Sequence, residues 1–70
     1  MTQTIIICKN KATFEAVVNE MLDWRTEFLI IPQSLMIRDL HNDMFPIFQH
    51  LSARRINMDN VEFATIEKQS

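Results

Sequence analysis

Leu35-Met36-Ile37-Arg38-Asp39-Leu40 is the stretch on which the fold turns. Read as a strand, it makes the second half of the chain an echo of the first. Read as helix, it removes a strand and extends the following helix back to Leu35. A repeat decides between the two. Phe14, Val17, Val18 and Met21 return thirty positions later as Met44, Ile47, Phe48 and Leu51, and each quartet has the i, i+3, i+4, i+7 spacing that lines one stripe of a helix. Ile5-Ile6-Ile7 precedes the first quartet at the offset at which Leu35-Met36-Ile37 precedes the second. Two strand–helix units are therefore expected, with Leu35 to Leu40 as a strand whose polar end, Arg38-Asp39, reaches solvent.

The remaining elements follow outward from this pair. Thr4 to Cys8 is short and β-branched, as a buried strand should be. Asn10 is placed to cap a helix running from Lys11 to Trp24 or Arg25, with Glu15, Asn19, Glu20 and Asp23 toward water and Trp24 over the rim of the core. Phe28-Leu29-Ile30-Ile31, ended by Pro32, reads as a further strand, and Pro32-Gln33-Ser34 as a tight connection. His41, Asn42 and Asp43 form a turn and cap before a helix from about Asp43 to Arg55, with Pro46 in its first turn. After a loop at 56–60, Val61 to Glu67 alternates as a last strand, and residues 67–70 are expected to fray. The order β-α-β-β-α-β with right-handed crossovers gives an α+β, ferredoxin-like sheet of strand order 4-1-3-2 with both helices on one face. The chain contains no glycine, so its turns are expected to use Asn, Asp, Pro or ordinary backbone angles.

Seventy residues make a single domain, 1–70, and a chain of this size buries only about 60% of its unfolded surface. One cysteine excludes an internal disulfide, and no Cys/His grouping has zinc-finger spacing. A partner subunit is the remaining source of stability. Seven basic against nine acidic residues give a net charge of −2, and the basic ones are scattered, which argues against nucleic acid. Arg54-Arg55 falls where a helix should end and complements its dipole. No apolar stretch approaches the roughly 20 residues of a membrane span, and no signal-peptide pattern is present, so a cytoplasmic location is expected.

The strands are apolar on both faces. Ile5 and Ile7 oppose Ile6 and Cys8, Phe28 and Ile30 oppose Leu29 and Ile31, Leu35 and Ile37 oppose Met36, and Val61 and Phe63 oppose Ala64 and Ile66. A half-covered sheet should instead alternate apolar and polar. Ile6, Cys8, Leu29, Ile31, Met36, Ala64 and Ile66 are named as one set for the uncovered face, with the opposite parity left equally open. Burying about four such side chains contributes roughly 6 to 12 kcal/mol before association costs. An exposed patch of this kind marks an interface.

Residues with chemistry are few. Cys8 precedes Lys9, Lys11 and a helix N-terminus, three features that favour a thiolate, although a lone cysteine is commonly a small buried hydrophobe. Asp39, His41 and Asp43 alternate through a turn; a solvated cap is the simpler reading than a metal or reactive site, and no metal or cofactor is expected. His50 falls beside the helical stripe, facing water near Asp43 or Glu20. No glycine-rich phosphate loop exists, and no nucleophile elbow surrounds Ser34, Ser52 or Ser70. RNA-recognition domains share the topology but stack bases on central-strand aromatics, where this chain has Ile, Cys, Leu and Met. Ile31-Pro32 is similar to the turn of small ferredoxin-like carrier domains that present a cysteine there, but Gln33, Ser34 and Leu35 follow, and nothing transfers.

The expected function is a small non-catalytic interaction module that self-associates, as a dimer, or docks on a larger protein through the open sheet face or edge. An adaptor or inhibitor of the kind a phage or mobile element directs at a host protein fits this description. The alternative is a small-molecule sensor holding a ligand at a dimer interface, and a third reading is an enzyme using Cys8 or the Asp39/His41/Asp43 turn.

Overall fold

A computed structural model describes residues 2–67; residues 68–70 of the expected tail lie outside the described residues. The elements are β1 (Thr2–Cys8), α1 (Lys11–Trp24), β2 (Phe28–Ile31), β3 (Met36–Asp39), α2 (Met44–Ala53) and β4 (Val61–Glu67), with 3-10 turns at Pro32–Ser34 and Met58–Asn60. All strand pairs are antiparallel and the sheet order is β2-β3-β1-β4, which is 4-1-3-2 from the other edge. Glu67, expected to begin the tail, belongs to β4 and pairs with Thr2.

The core shows why both helices lie on one side. Ile6 and Cys8 of β1, Ile37 of β3 and Val61 of β4 share one face and pack with Phe14, Val17 and Met21 of α1 and Ile47 and Leu51 of α2. Ile6 stands opposite Ile37 on one flank and Phe63 on the other, so β1 is the axis of the sheet. The fold is α+β and ferredoxin-like, and Met36–Asp39 is a strand.

The two helical quartets are not equally buried. Phe14, Val17 and Met21 are buried, whereas Met44 is 48% and Phe48 43% exposed. The helix α2 packs along β4, an edge strand, so one flank of its stripe overhangs the sheet margin; Phe48 meets Phe63 there, edge-on at 6.4 Å. Asn10 caps α1 as expected, its Oδ1 accepting from the Thr13 N–H at 2.8 Å. Asp43 is the N-cap of α2 by position, without a side-chain bond.

The turns depart from expectation. Arg25, Leu35 and Arg55 adopt left-handed backbone angles, with φ of 61°, 54° and 66°. Arg25 ends α1, its N–H returning to the Leu22 carbonyl at 3.1 Å, and Leu35 closes the Pro32–Ser34 turn in the same way on Pro32 at 3.2 Å. Leu35 therefore belongs to the turn, and β3 starts one residue later than its apolar run. A side chain at such a position costs about 1–2 kcal/mol through the clash of Cβ with the carbonyl. Arg55 is exposed and its side chain has no hydrogen bond or ion pair among the described contacts. Arg55→Gly is expected to raise the unfolding free energy by about 0.5–1 kcal/mol in urea melts, the strain relieved less the entropy glycine adds to the unfolded chain; a destabilised variant would contradict this account of the turn.

Candidate functional site

Cross-strand register defines the face the helices leave bare. One row across the sheet is Ile31, Met36, Ile7 and Glu62; the next is Leu29, Arg38, Ile5 and Ala64; Gln3 and Ile66 form a third. The guanidinium of Arg38, in the middle of this surface, donates from Nε to Gln3 Oε1 at 2.8 Å. Among the described residues the face therefore holds one cation and one anion, Arg38 and Glu62, among seven apolar side chains.

Five of the seven residues assigned to the uncovered face lie on it: Leu29, Ile31, Met36, Ala64 and Ile66. Ile6 and Cys8 do not. They are 0% and 4% exposed in the core, and Ile5 and Ile7 take their place. A run of three isoleucines carries no alternation from which to choose a parity. The usable signal lies at its ends, where Gln3 and Lys9 share the parity of Ile5 and Ile7 and favour the side that water reaches.

The apolar surface continues around the β2 edge. Leu29, Ile30 and Ile31 are 55%, 47% and 38% exposed. On the helix side of this edge, Phe14, Glu15, Val18, Asn19 and Ile30 line an open groove of about 210 Å³.

The candidate reactive residues are placed for structure. Burial pushes the Cys8 thiol up from 9.0 to about 11, the reverse of the activated thiolate suggested by Lys9, Lys11 and the helix N-terminus. Asp39 does not reach solvent. It is fully buried, and its Oδ1 accepts from the backbone N–H of His41 at 2.8 Å and of Asn42 at 2.7 Å, while Asn42 Nδ2 lies 3.1 Å from Oδ2. Asn42 also donates to Thr26 Oγ1 at 2.7 Å, and its carbonyl accepts from Thr4 Oγ1 at 2.9 Å. This network ties β1, the entry to β2 and the β3–α2 turn together. His41 points outward to Glu27, with Nε2 3.0 Å from Oε1, and Asp43 is exposed. Among the described residues no three His, Cys, Asp or Glu side chains come together in a way that could hold a metal ion. No described helix is long and apolar enough to cross a membrane.

His50 faces inward rather than toward water. Its ring stacks on Trp24 at 4.5 Å and 10°, and its Nε2 lies 4.0 Å from Glu20 Oε2. Arg54 approaches Glu20 at 3.8 Å and Asp23 at 4.0 Å, so these side chains clasp the two helices. The i, i+4 pairs Glu20–Trp24 and His50–Arg54 hint at such a contact, but only the packing brings the helices together.

No protein-family model, curated protein or solved structure matches this chain.

Two outcomes follow for the buried groups. A thiol raised in the folded state keeps its full stabilisation below pH 9 and loses it as pH climbs toward 11, because the unfolded chain ionises first. Native protein at pH 8 should therefore resist alkylation by iodoacetamide, react at once in denaturant, and lose about 2–3 kcal/mol of stability between pH 9 and 11 that Cys8→Ala does not lose. Rapid alkylation of the folded chain would show that Cys8 is accessible and ionised. Asp39→Ala strands two backbone N–H groups and the Asn42 amide, and is expected to cost about 3 kcal/mol in urea unfolding; Asp39→Asn, which keeps one acceptor oxygen, should cost less.

Proposed function

We propose that this chain is a small, non-catalytic protein-interaction module, which associates with protein through the apolar sheet surface that its helices leave uncovered. The observation that carries this reading is the uncovered face. Strands about 4.8 Å apart, rising about 3.3 Å per residue, give it roughly 350 Å² in projection. That area includes Arg38, Gln3 and Glu62, and its apolar part is the size of the largest patch a monomeric protein normally exposes, which is often a functional one. Among the described residues its charges are one pair of opposite sign, Arg38 and Glu62, a balance that suits an apolar protein surface and not a polyanion. Self-association and docking on a larger protein, in the manner of an adaptor or inhibitor, both use such a surface.

The groove beside Ile30 weighs between this reading and a small-molecule sensor. Its 210 Å³ is below the roughly 300 Å³ at which small-molecule sites begin, and its walls are open. It suits an inserted apolar side chain better than a metabolite.

The test pairs a dye that fluoresces on apolar surfaces with a substitution in the centre of the face. Wild-type protein, shown to unfold cooperatively, is expected to enhance the dye. Ile7→Lys is expected to lose most of that enhancement with its unfolding midpoint little changed, because Ile7 contributes nothing to the core. A wild-type chain that runs at its single-chain mass of 8.3 kDa and leaves the dye dark would contradict the proposal, as would a variant that enhances it equally.

A further inference from the structure

The direction of the backbone groups on β2 points to a specific occupant of that edge. Leu40 N–H donates to the Glu27 carbonyl at 3.2 Å, and Cys8 N–H donates to the Leu35 carbonyl at 2.9 Å. Antiparallel pairs alternate between bonded and non-bonded positions. With the register of β2 on β3, this turns the N–H and C=O groups of Glu27, Leu29 and Ile31 toward β3, and those of Phe28 and Ile30 away from the sheet. These outward groups have no partner strand, since β2 is an edge.

Native edges are usually blunted by shortness, charge, proline or a bulge, and β2 has two of these in its four-residue length and in Pro32 at its end. From Phe28 to Ile31 there is no polar residue. The opposite edge, β4, carries Glu62, Thr65 and Glu67. Beside β2 the apolar strip widens: Phe14 and Val18 line the groove with Ile30, and Val18 is followed one turn later on α1 by Leu22, which is 60% exposed. Lys11 and Glu15, on the same stripe as Val18 and Leu22, carry opposite charges. A chain of net charge −2 resists meeting itself, but beside this edge Lys11 and Glu15 offset each other, and the carboxylate of Glu27, at the entry to β2, lies 3.0 Å from His41 Nε2, so a twin meets no cluster of like charge.

We propose that β2 pairs with β2 of a second copy of this chain, antiparallel about a two-fold axis at Leu29. This deepens the interaction-module reading and rests on it. In this register Phe28 and Ile30 each exchange both backbone bonds with Ile30 and Phe28 of the twin, so every outward group of the strand is satisfied by an identical one. An axis at Ile30 would set Phe28 against Pro32, which has no N–H to give. On the helix side, Phe28 of the twin meets Ile30 at the mouth of the groove; on the open side, Leu29 meets Leu29. The product is a continuous eight-stranded sheet with all helices on one side. The two uncovered faces lie together on the other, free for a larger partner.

Light scattering over a dilution series tests the proposal with variants chosen to spare the subunit. The wild-type chain is expected to dimerise reversibly. Ile30→Pro removes an N–H aimed only at the twin, at a strand position where proline is tolerated, and should abolish the dimer. Leu29→Lys and Leu29→Glu each place like charges across the axis, and each should weaken dimerisation about a hundredfold. Mixing the two should restore it as a heterodimer. Thr65→Lys, on the other edge, should change nothing. A wild-type mass that stays at one chain, a dimer that survives the Leu29 substitutions, or a mixture that remains monomeric would each overturn the β2 pairing. Surviving dimer would leave the interaction-module reading intact, and that reading falls separately, on the dye result with Ile7→Lys.

Discussion

Helices on one side of a sheet whose strands are apolar on both sides create the constraint from which the rest of this molecule follows. The central strand β1 supplies Ile6 and Cys8 to the core and, by strict alternation, must then present Ile5 and Ile7 to the opposite face. Met36 and Ile66 follow from the same register. Two helices of 14 and 10 residues can hide one face of four strands and no more. What they leave bare is decided by the sequence of the strands and not by any later adjustment of packing.

Within the subunit, local interactions act to hold that arrangement. The buried carboxylate of Asp39 is the most economical of them, since one side chain satisfies two backbone N–H groups and, through Asn42, reaches Thr26 and Thr4. It fixes the end of the sheet at which α1 hands over to β2 and β3 to α2. The C-terminal halves of the two helices are joined by the Trp24–His50 stack and by Glu20, Asp23 and Arg54. Three non-glycine residues in left-handed conformations complete the turns. Each stores strain, and together they show a chain whose connections are held by packing on the core rather than by intrinsic preference.

The architecture was legible from residue patterns because it depends on periodicity: two helical stripes thirty residues apart and four short apolar runs specify a βαββαβ order almost without ambiguity. Which face was which was legible only at the ends of the first strand, in Gln3 and Lys9, and not in its apolar run. Ile5-Ile6-Ile7 reads identically in either parity, so the run itself does not separate Ile6 and Cys8 from Ile5 and Ile7. Asp39 looked like the polar end of a strand because its ligands are backbone amides, which no pattern of side chains announces. Met44 and Phe48 fit the stripe yet sit over the sheet margin, since spacing along a helix carries no information about where that helix lies across a sheet. Cys8 stands beside the cations that activate thiols, but the side of β1 on which it falls places it in apolar surroundings, and desolvation wins.

The exposed edge and the exposed face adjoin one another, and the central claim is the proposed pairing of the β2 edge with a second copy of this chain. Isoleucine methyl groups report on this directly, because Ile30 and Ile31 lie on the β2 edge while Ile6, Ile37 and Ile47 are fully buried. The decisive measurement is a methyl-resolved NMR dilution series on the intact chain. The account predicts that the Ile30 and Ile31 signals shift with concentration while those of Ile6, Ile37 and Ile47 stay fixed; Ile30 and Ile31 signals that do not move over the whole range would contradict it.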